Sequence, residues 1–157
     1  MENRQRLVPT RPSVTTKLKL PYRDTTITFY FTIGLFLDGK PGEVFITVDN
    51  DHEGLGSAYH SLGIALSMLF QSGWTIKELV KKFAYIRSVP NGFTNNPELP
   101  NASSVVDYLV RWLETDEFKS TAIDSINTWK VMSENISREK KRKADGVIQE
   151  DSASQLS

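Results

Sequence analysis

From Ile27 to Leu37 every odd position is apolar: Ile27, Phe29, Phe31, Ile33, Leu35 and Leu37. The even positions are mostly Thr26, Thr28, Tyr30 and Thr32. Successive strand side chains point to opposite sides, so this alternation predicts a strand with one face on a core. The threonine face is left to water or to a partner. Asp38-Gly39-Lys40-Pro41-Gly42 reads as a turn, and Val44, Ile46 and Val48 then alternate again. Segments 26–37 and 43–49 therefore form a hairpin. Val14 to Leu20 predicts a further strand, ended or held at an edge by Pro21, with Arg23-Asp24 turning it back. The sheet is expected to be antiparallel, with three or more strands.

Beyond Asp49 the period becomes helical. In a helix over 57–71, Leu62, Leu66 and Leu69 make one stripe, Ile64 and Met68 a second, and His60, Ser67 and Gln71 a narrow polar strip. So apolar a helix is expected to be buried on nearly all sides, by neighbouring helices or by a second subunit. Gly73 sits where a left-handed residue stops a helix. Thr75 with Glu78 forms a capping box, and Trp74 is placed to staple onto Leu79. The next helix is expected to bury Ile76, Leu79, Val80, Phe83 and Ile86, with Lys77, Lys81 and Lys82 in water. Arg87 to Asn101 reads as a long loop, packed down by Phe93 and Leu99. Ser103 or Ser104 caps a third helix, with Val106, Leu109, Val110 and Leu113 inward and Asp107 paired with Arg111. From Thr115 to Lys143, Phe118, Ala122, Ile126, Trp129 and Ile136 trace a weaker helical stripe.

The predicted fold is α+β: an antiparallel sheet of three or more strands, with its hairpin at 26–49, packed against three helices. A weak C-terminal helix and a disordered tail complete it. Its parts are an extended arm (1–14), an α+β domain (15–113), an amphipathic and basic helical extension (114–143) and the tail (144–157). Composition fits this picture: 157 residues, 39% hydrophobic and 24% charged, make one domain plus tails. Nineteen basic and nineteen acidic residues cancel, which removes any global pull toward nucleic acid or anionic membrane. The sequence has no cysteine, which excludes disulfides, thiolate zinc sites, iron–sulfur clusters and thiyl-radical chemistry from it. It holds no membrane-length apolar run and its N-terminal residues show no signal-peptide core, so a cytoplasmic chain without membrane contact is expected.

Candidate chemistry is sparse. Gly54, Gly56 and Ser57 open the 57–71 helix and could present backbone N–H groups to a phosphate or carboxylate. They lack the lysine and spacing of a P-loop, and a strand-to-helix turn with a serine cap explains the same residues. Asn91, Thr94, Asn95 and Asn96, with Phe93 among them, could read a nucleobase or ribose through amide hydrogen bonds; asparagine also favours turns for conformational reasons. Ser67 and His60 stand nearly two helical turns apart, too far for a catalytic dyad, and no catalytic residue is identified. Asp49, Asp51 and Glu53 resemble a hard-cation loop only loosely, so no metal site is expected. Arg138, Lys140, Lys141, Arg142 and Lys143 could touch phosphates without reading sequence, although acids around them suit a solvated helix end.

Pro9-Thr10-Arg11-Pro12-Ser13-Val14-Thr15, Gly39-Lys40-Pro41-Gly42-Glu43-Val44-Phe45-Ile46 and Pro90-Asn91-Gly92-Phe93-Thr94-Asn95-Asn96-Pro97 form a recognisable series. With Ser104-Val105-Val106-Asp107-Tyr108-Leu109-Val110-Arg111-Trp112-Leu113, they resemble the TSCPD-type C-terminal region of adenosylcobalamin-dependent (class II) ribonucleotide reductases. The resemblance runs from Arg6 to Leu113. It implies a non-catalytic module of deoxyribonucleotide metabolism that binds a reductase subunit, a nucleotide, or both. The catalytic barrel of those reductases, with its cobalamin site and radical cysteine, is not in this sequence. No cofactor is therefore expected in this chain, and cobalamin enters only through a catalytic partner chain. Cysteine-bearing branches of the family have metal-binding positions where this sequence has Ser88-Val89-Pro90 and Ala102-Ser103-Ser104. Two alternatives stand beside this reading. One is a free-standing nucleotide-binding protein, a homo-oligomer through helix 57–71; the other is a nucleic-acid binder using the basic run.

Overall fold

A computed structural model describes residues 4–49 and 54–155, with side chains as far as Val147. Three strands, β1 (Ser13–Tyr22), β2 (Thr25–Leu35) and β3 (Pro41–Val48), form an antiparallel meander in the order β1-β2-β3. The register sets Leu18 opposite Phe29, Phe31 opposite Ile46 and Ile33 opposite Val44. One face thus gathers Val14, Leu18, Leu20, Ile27, Phe29, Phe31, Ile33, Val44 and Ile46, all buried. Pro21 lies within β1, where its missing N–H is tolerated because β1 is an edge strand. The other face shows Thr15, Lys17, Phe45 and Thr47 to solvent. There Gly34, opposite Glu43, leaves room for an ion pair between Arg11 and Glu43 to cross the sheet.

Four helices and a small ladder follow: α1 (Leu55–Gln71), α2 (Ile76–Phe83), β4 (Gly92–Phe93) paired with β5 (Asn101–Ala102), α3 (Val105–Leu113) and α4 (Asp116–Gln155). The Thr75–Glu78 capping box starts α2. Ser104 is the cap of α3, its Oγ accepting the Asp107 N–H at 3.0 Å.

The expectation that neighbouring helices of this chain enclose the 57–71 helix is corrected. Only Gly63, Leu66, Phe70 and Gln71 of α1 are buried, and Ile64 is half exposed. The reason is position: α1 lies along the free edge of β3 instead of over the middle of the sheet. Ser67 Oγ accepts the Val44 N–H at 2.8 Å, and Gln71 Nε2 donates to the Gly42 carbonyl at 2.9 Å. The strip read as polar is the edge cap of a strand, which blunts a site of chain-to-chain pairing. The enclosed helix is α3, where Val105, Asp107, Tyr108, Leu109, Val110, Trp112 and Leu113 are all buried. Tyr108 stacks on Phe31 of β2 at 6.2 Å between centroids, and Trp112 meets Phe118 of α4 edge-on at 5.0 Å.

Two further expectations change. Ile86 and Phe93 are exposed where burial was predicted, and Val106 is only half-buried. The serine cap expected for α1 is replaced by Gly54 in the left-handed region, at φ 75°, and Ser57 Oγ donates to the Gly54 carbonyl instead. Helix α4 runs on past Lys143 to Gln155. At 40 residues it is roughly 60 Å long. It packs through Phe118, Ala122 and Ile126, while Val131, Met132 and Ile136 are exposed.

Candidate functional site

The loop from Pro90 to Pro97 brings Asn91, Phe93, Thr94, Asn95 and Asn96 together, and the β4–β5 ladder pins it. Its polar atoms point into the fold. Asn95 lies along the free edge of β1, Oδ1 accepting the Lys19 N–H at 2.7 Å and Nδ2 donating to the Lys17 carbonyl at 3.1 Å. One side-chain amide thus supplies the hydrogen bonds of a missing strand. Asn96 Nδ2 donates to the Tyr108 hydroxyl at 3.1 Å and its Oδ1 accepts the Glu98 N–H at 3.0 Å. Thr94 Oγ1 donates to the Leu99 carbonyl at 2.6 Å, and Asn91 Nδ2 to the Ser88 carbonyl at 3.1 Å. Asn95→Ala is therefore expected to cost roughly 1 to 2 kcal/mol. A thermal melt of the ligand-free protein checks this; an unchanged Tm would return Asn95 to the groups free for a ligand.

Behind the loop, Asp107 is fully buried and collects four donors. Its carboxylate accepts from the Tyr85 N–H at 2.6 Å, the Ser103 N–H at 2.8 Å, and Arg111 Nε and Nη2 at 2.9 and 2.7 Å. Burial works against its charge, but the Arg111 guanidinium and the two backbone N–H groups outweigh it and hold the carboxyl below its usual range. Arg111 is held above its own usual value, chiefly by Asp107. Arg111 also donates to the Asn101 carbonyl at 2.6 Å and lies 5.1 Å from the Tyr85 ring centre. The helical spacing of Asp107 and Arg111 predicts their pairing. It cannot show that Tyr85 and Ser103 converge on the same carboxylate.

The other candidates stand apart from this loop. Gly54, Gly56 and Ser57 begin α1, on the β3 side of the sheet, whereas Gly92 packs against Pro21 of β1 at the opposite edge. Arg138, Lys140, Lys141, Arg142 and Lys143 are exposed on α4, with Lys143 paired to Glu139 at 2.9 Å. Asp51 and Glu53 lie outside the described residues. A cleft of about 470 Å³, which the sequence does not reveal, opens between the N-terminal arm, the β2–β3 turn and the α1–α2 junction. Phe36, Pro41, Phe70, Trp74 and Ile76 wall it, and Asp38 and Lys40 add charge. These residues come from two separated segments, and Gln5 of the arm adds a third; only Trp74 carries a signal, as a large aromatic at a helix start.

No helix among the described residues is long and apolar enough to cross a membrane. No solved structure matches the chain significantly. The family model of the TSCPD domain matches residues 3–117, which takes in the loop, the Asp107 network and the cleft. Among curated proteins, the chain is similar to the vitamin B12-dependent ribonucleotide reductase of Rhodopirellula baltica. The two are 40% identical over 110 residues, which cover 70% of this chain and 10% of that protein. The enzyme of the same description from Streptantibioticus cattleyicolor is 32% identical over 113 residues, covering 72% of this chain and 18% of that protein. That from Agrobacterium fabrum is 29% identical over 108 residues, 60% of this chain and 8% of that protein. The chain thus spans only a small part of the length of these relatives. Matched over more than half of its residues, it belongs to the TSCPD domain family and is related through that domain to the vitamin B12-dependent ribonucleotide reductases.

Proposed function

We propose that this chain acts as a non-catalytic module that binds the catalytic chain of a ribonucleotide reductase. The observation that carries the reading is the inward use of the Thr94, Asn95 and Asn96 side chains. The family-matched loop spends its hydrogen-bonding groups on its own shape, as a surface made to meet another protein would. The relatives supply the kind of partner, since they carry the matched stretch as a small part of a much longer reductase. The 157 residues contain no cysteine, so radical and thiol chemistry would belong to the partner. Cobalamin would also belong there, since the vitamin B12-dependent relatives are matched over only a small part of their length.

Nucleotide binding is the second reading, and the cleft favours it. The indole of Trp74 offers a stacking surface, Lys40 a cation for phosphate, and the volume suits a small ligand. An oligomer built on helix 57–71 would use its exposed face, Ser57, Ala58, His60, Ser61, Ile64 and Ala65. Nucleic-acid binding through Arg138 to Lys143 would be an electrostatic contact along one helix.

Calorimetric titration of the full chain with the purified, full-length reductase catalytic chain from the same genome tests the first reading. A saturable micromolar complex is expected, and no heat of binding at tens of micromolar overturns it. If millimolar nucleotides raise the Tm instead, and Trp74→Ala removes the rise, the second reading holds.

A further inference from the structure

Large apolar side chains exposed singly are ordinary, but clustered ones are not. Tyr85, Ile86, Val89 and Phe93 are 72, 47, 68 and 76% exposed and fall within the short stretch that runs from the end of α2 through β4. That connection is firmly held. Tyr85 has φ 63°, a backbone conformation that a bulky residue adopts only where its surroundings impose it. Here the Tyr85 N–H donates to the Asp107 carboxylate at 2.6 Å. The Ser88 N–H donates to the Ser103 carbonyl at 3.0 Å, and Phe93 pairs with Asn101 across the small ladder. Arg111 joins the two aromatics, lying over the Tyr85 ring while donating to the carbonyl of Asn101, the partner of Phe93. Folding alone gives no reason to hold two exposed aromatics in so constrained a backbone.

We propose that Tyr85 and Phe93, with Ile86 and Val89, are the docking surface for the reductase catalytic chain. This rests on the function proposed above and names the face that performs it. A buried contact centre rich in aromatics and arginine is the usual composition of the residues that dominate protein association. Pre-organisation by Asp107 lowers the ordering cost of binding. Lys81, Lys82 and Arg87 are exposed on the same connection and the helix before it, which suits a partner face with an acidic rim. A single-stranded nucleic acid fits less well: Arg111 Nε and Nη2 are engaged by Asp107 and Asn101, and Ile86 and Val89 give a base nothing to stack on. The choice of occupant rests on the relatives, in which the matched stretch is 10% and 18% of a single longer polypeptide, so the remainder of such a reductase is the partner proposed for this face.

The double variant Tyr85→Asn/Phe93→Ser tests this in the full chain against the same full-length catalytic chain. Asparagine takes the left-handed backbone more readily than tyrosine, so folding is kept, and a melting curve verifies it. Affinity is expected to fall roughly 100-fold. Val131→Ser/Ile136→Ser on α4, equally apolar and exposed, is expected to bind as the unaltered chain does. Unchanged affinity of the aromatic variant, beside normal binding by the unaltered chain, overturns the surface and leaves the function standing. No binding by the unaltered chain removes both. Loss of binding to labelled oligo-dT, with reductase binding intact, makes the pair a nucleic-acid platform and also overturns the proposal.

Discussion

Asp107→Asn is expected to destabilise the domain by about 3 to 5 kcal/mol, the range for breaking one side of a buried ion pair. In a protein of this size, that lowers the Tm by roughly 6 to 20 °C. The cost is large because four donors lose a charged acceptor at once, and an amide turns two of its own N–H bonds toward them. Replacing both Asp107 and Arg111 with apolar residues would not restore stability, as it can for a simple buried pair, because the Tyr85 and Ser103 N–H groups would stay buried without acceptors. The pH dependence has a definite sign. The Asp107 carboxyl is held below its unfolded value, so its contribution is fully present above about pH 4, the ordinary carboxylate range, and is lost as pH falls through the lower folded value. Melting curves from pH 7 down to pH 2 should therefore show a steep acid limb, and the Asn variant a shallower one. A Tm that stays within a degree or two of the parent at pH 7 would remove Asp107 from the centre of this network.

The same residue marks the limit of what a sequence discloses. Alternation in β2 and β3 and the Thr75–Glu78 box are local patterns, and the structure places them as their periods require, except that β2 ends at Leu35 and leaves Leu37 exposed beyond the register shift at Gly34 and Leu35. Asp107 and Arg111 are also local, one helical turn apart. Tyr85 and Ser103 reach Asp107 only through the tertiary fold, so its role as the node of the α2–α3 connection has no sequence signature. The asparagine loop shows the converse. Asn95 and Asn96 look like free amides in a polar loop, and only the positions of the β1 edge and Tyr108 reveal what they bond. Phe93 misleads for a related reason: hydrophobicity predicts burial in the average loop, and this ring is exposed. Helix α1 is the clearest case. Its apolar circumference suggests enclosure, yet its closest packing partner is a strand edge, reached through Gly63, Ser67 and Gln71.

Gly63 carries the second large effect. A Cβ placed there would stand 2.8 Å from the Val44 carbonyl oxygen, a backbone atom inside a paired strand. Neither the helix nor the strand can yield locally, so α1 must move away from β3. Alanine would gain about 1 kcal/mol in helix propensity and lose about 1 to 3 kcal/mol in overpacking. Valine adds two methyl groups and a poorer propensity, and Gly63→Val is expected to cost about 3 kcal/mol. Gly146 offers the contrast. It lies in α4 with nothing within 4 Å of the point an alanine methyl would occupy, so Gly146→Ala should only strengthen its helix, by about 1 kcal/mol, visible as a rise in helical circular dichroism. The Gly63 change has a consequence beyond stability. As α1 lifts, Ser67 and Gln71 release the Val44 N–H and the Gly42 carbonyl, and β3 becomes an open edge able to pair with another chain. Gly63→Val should therefore melt earlier and also form aggregates on size-exclusion chromatography at concentrations where the parent does not. A variant that melts like the parent and elutes at the parent's volume would show that α1 does not seal this edge.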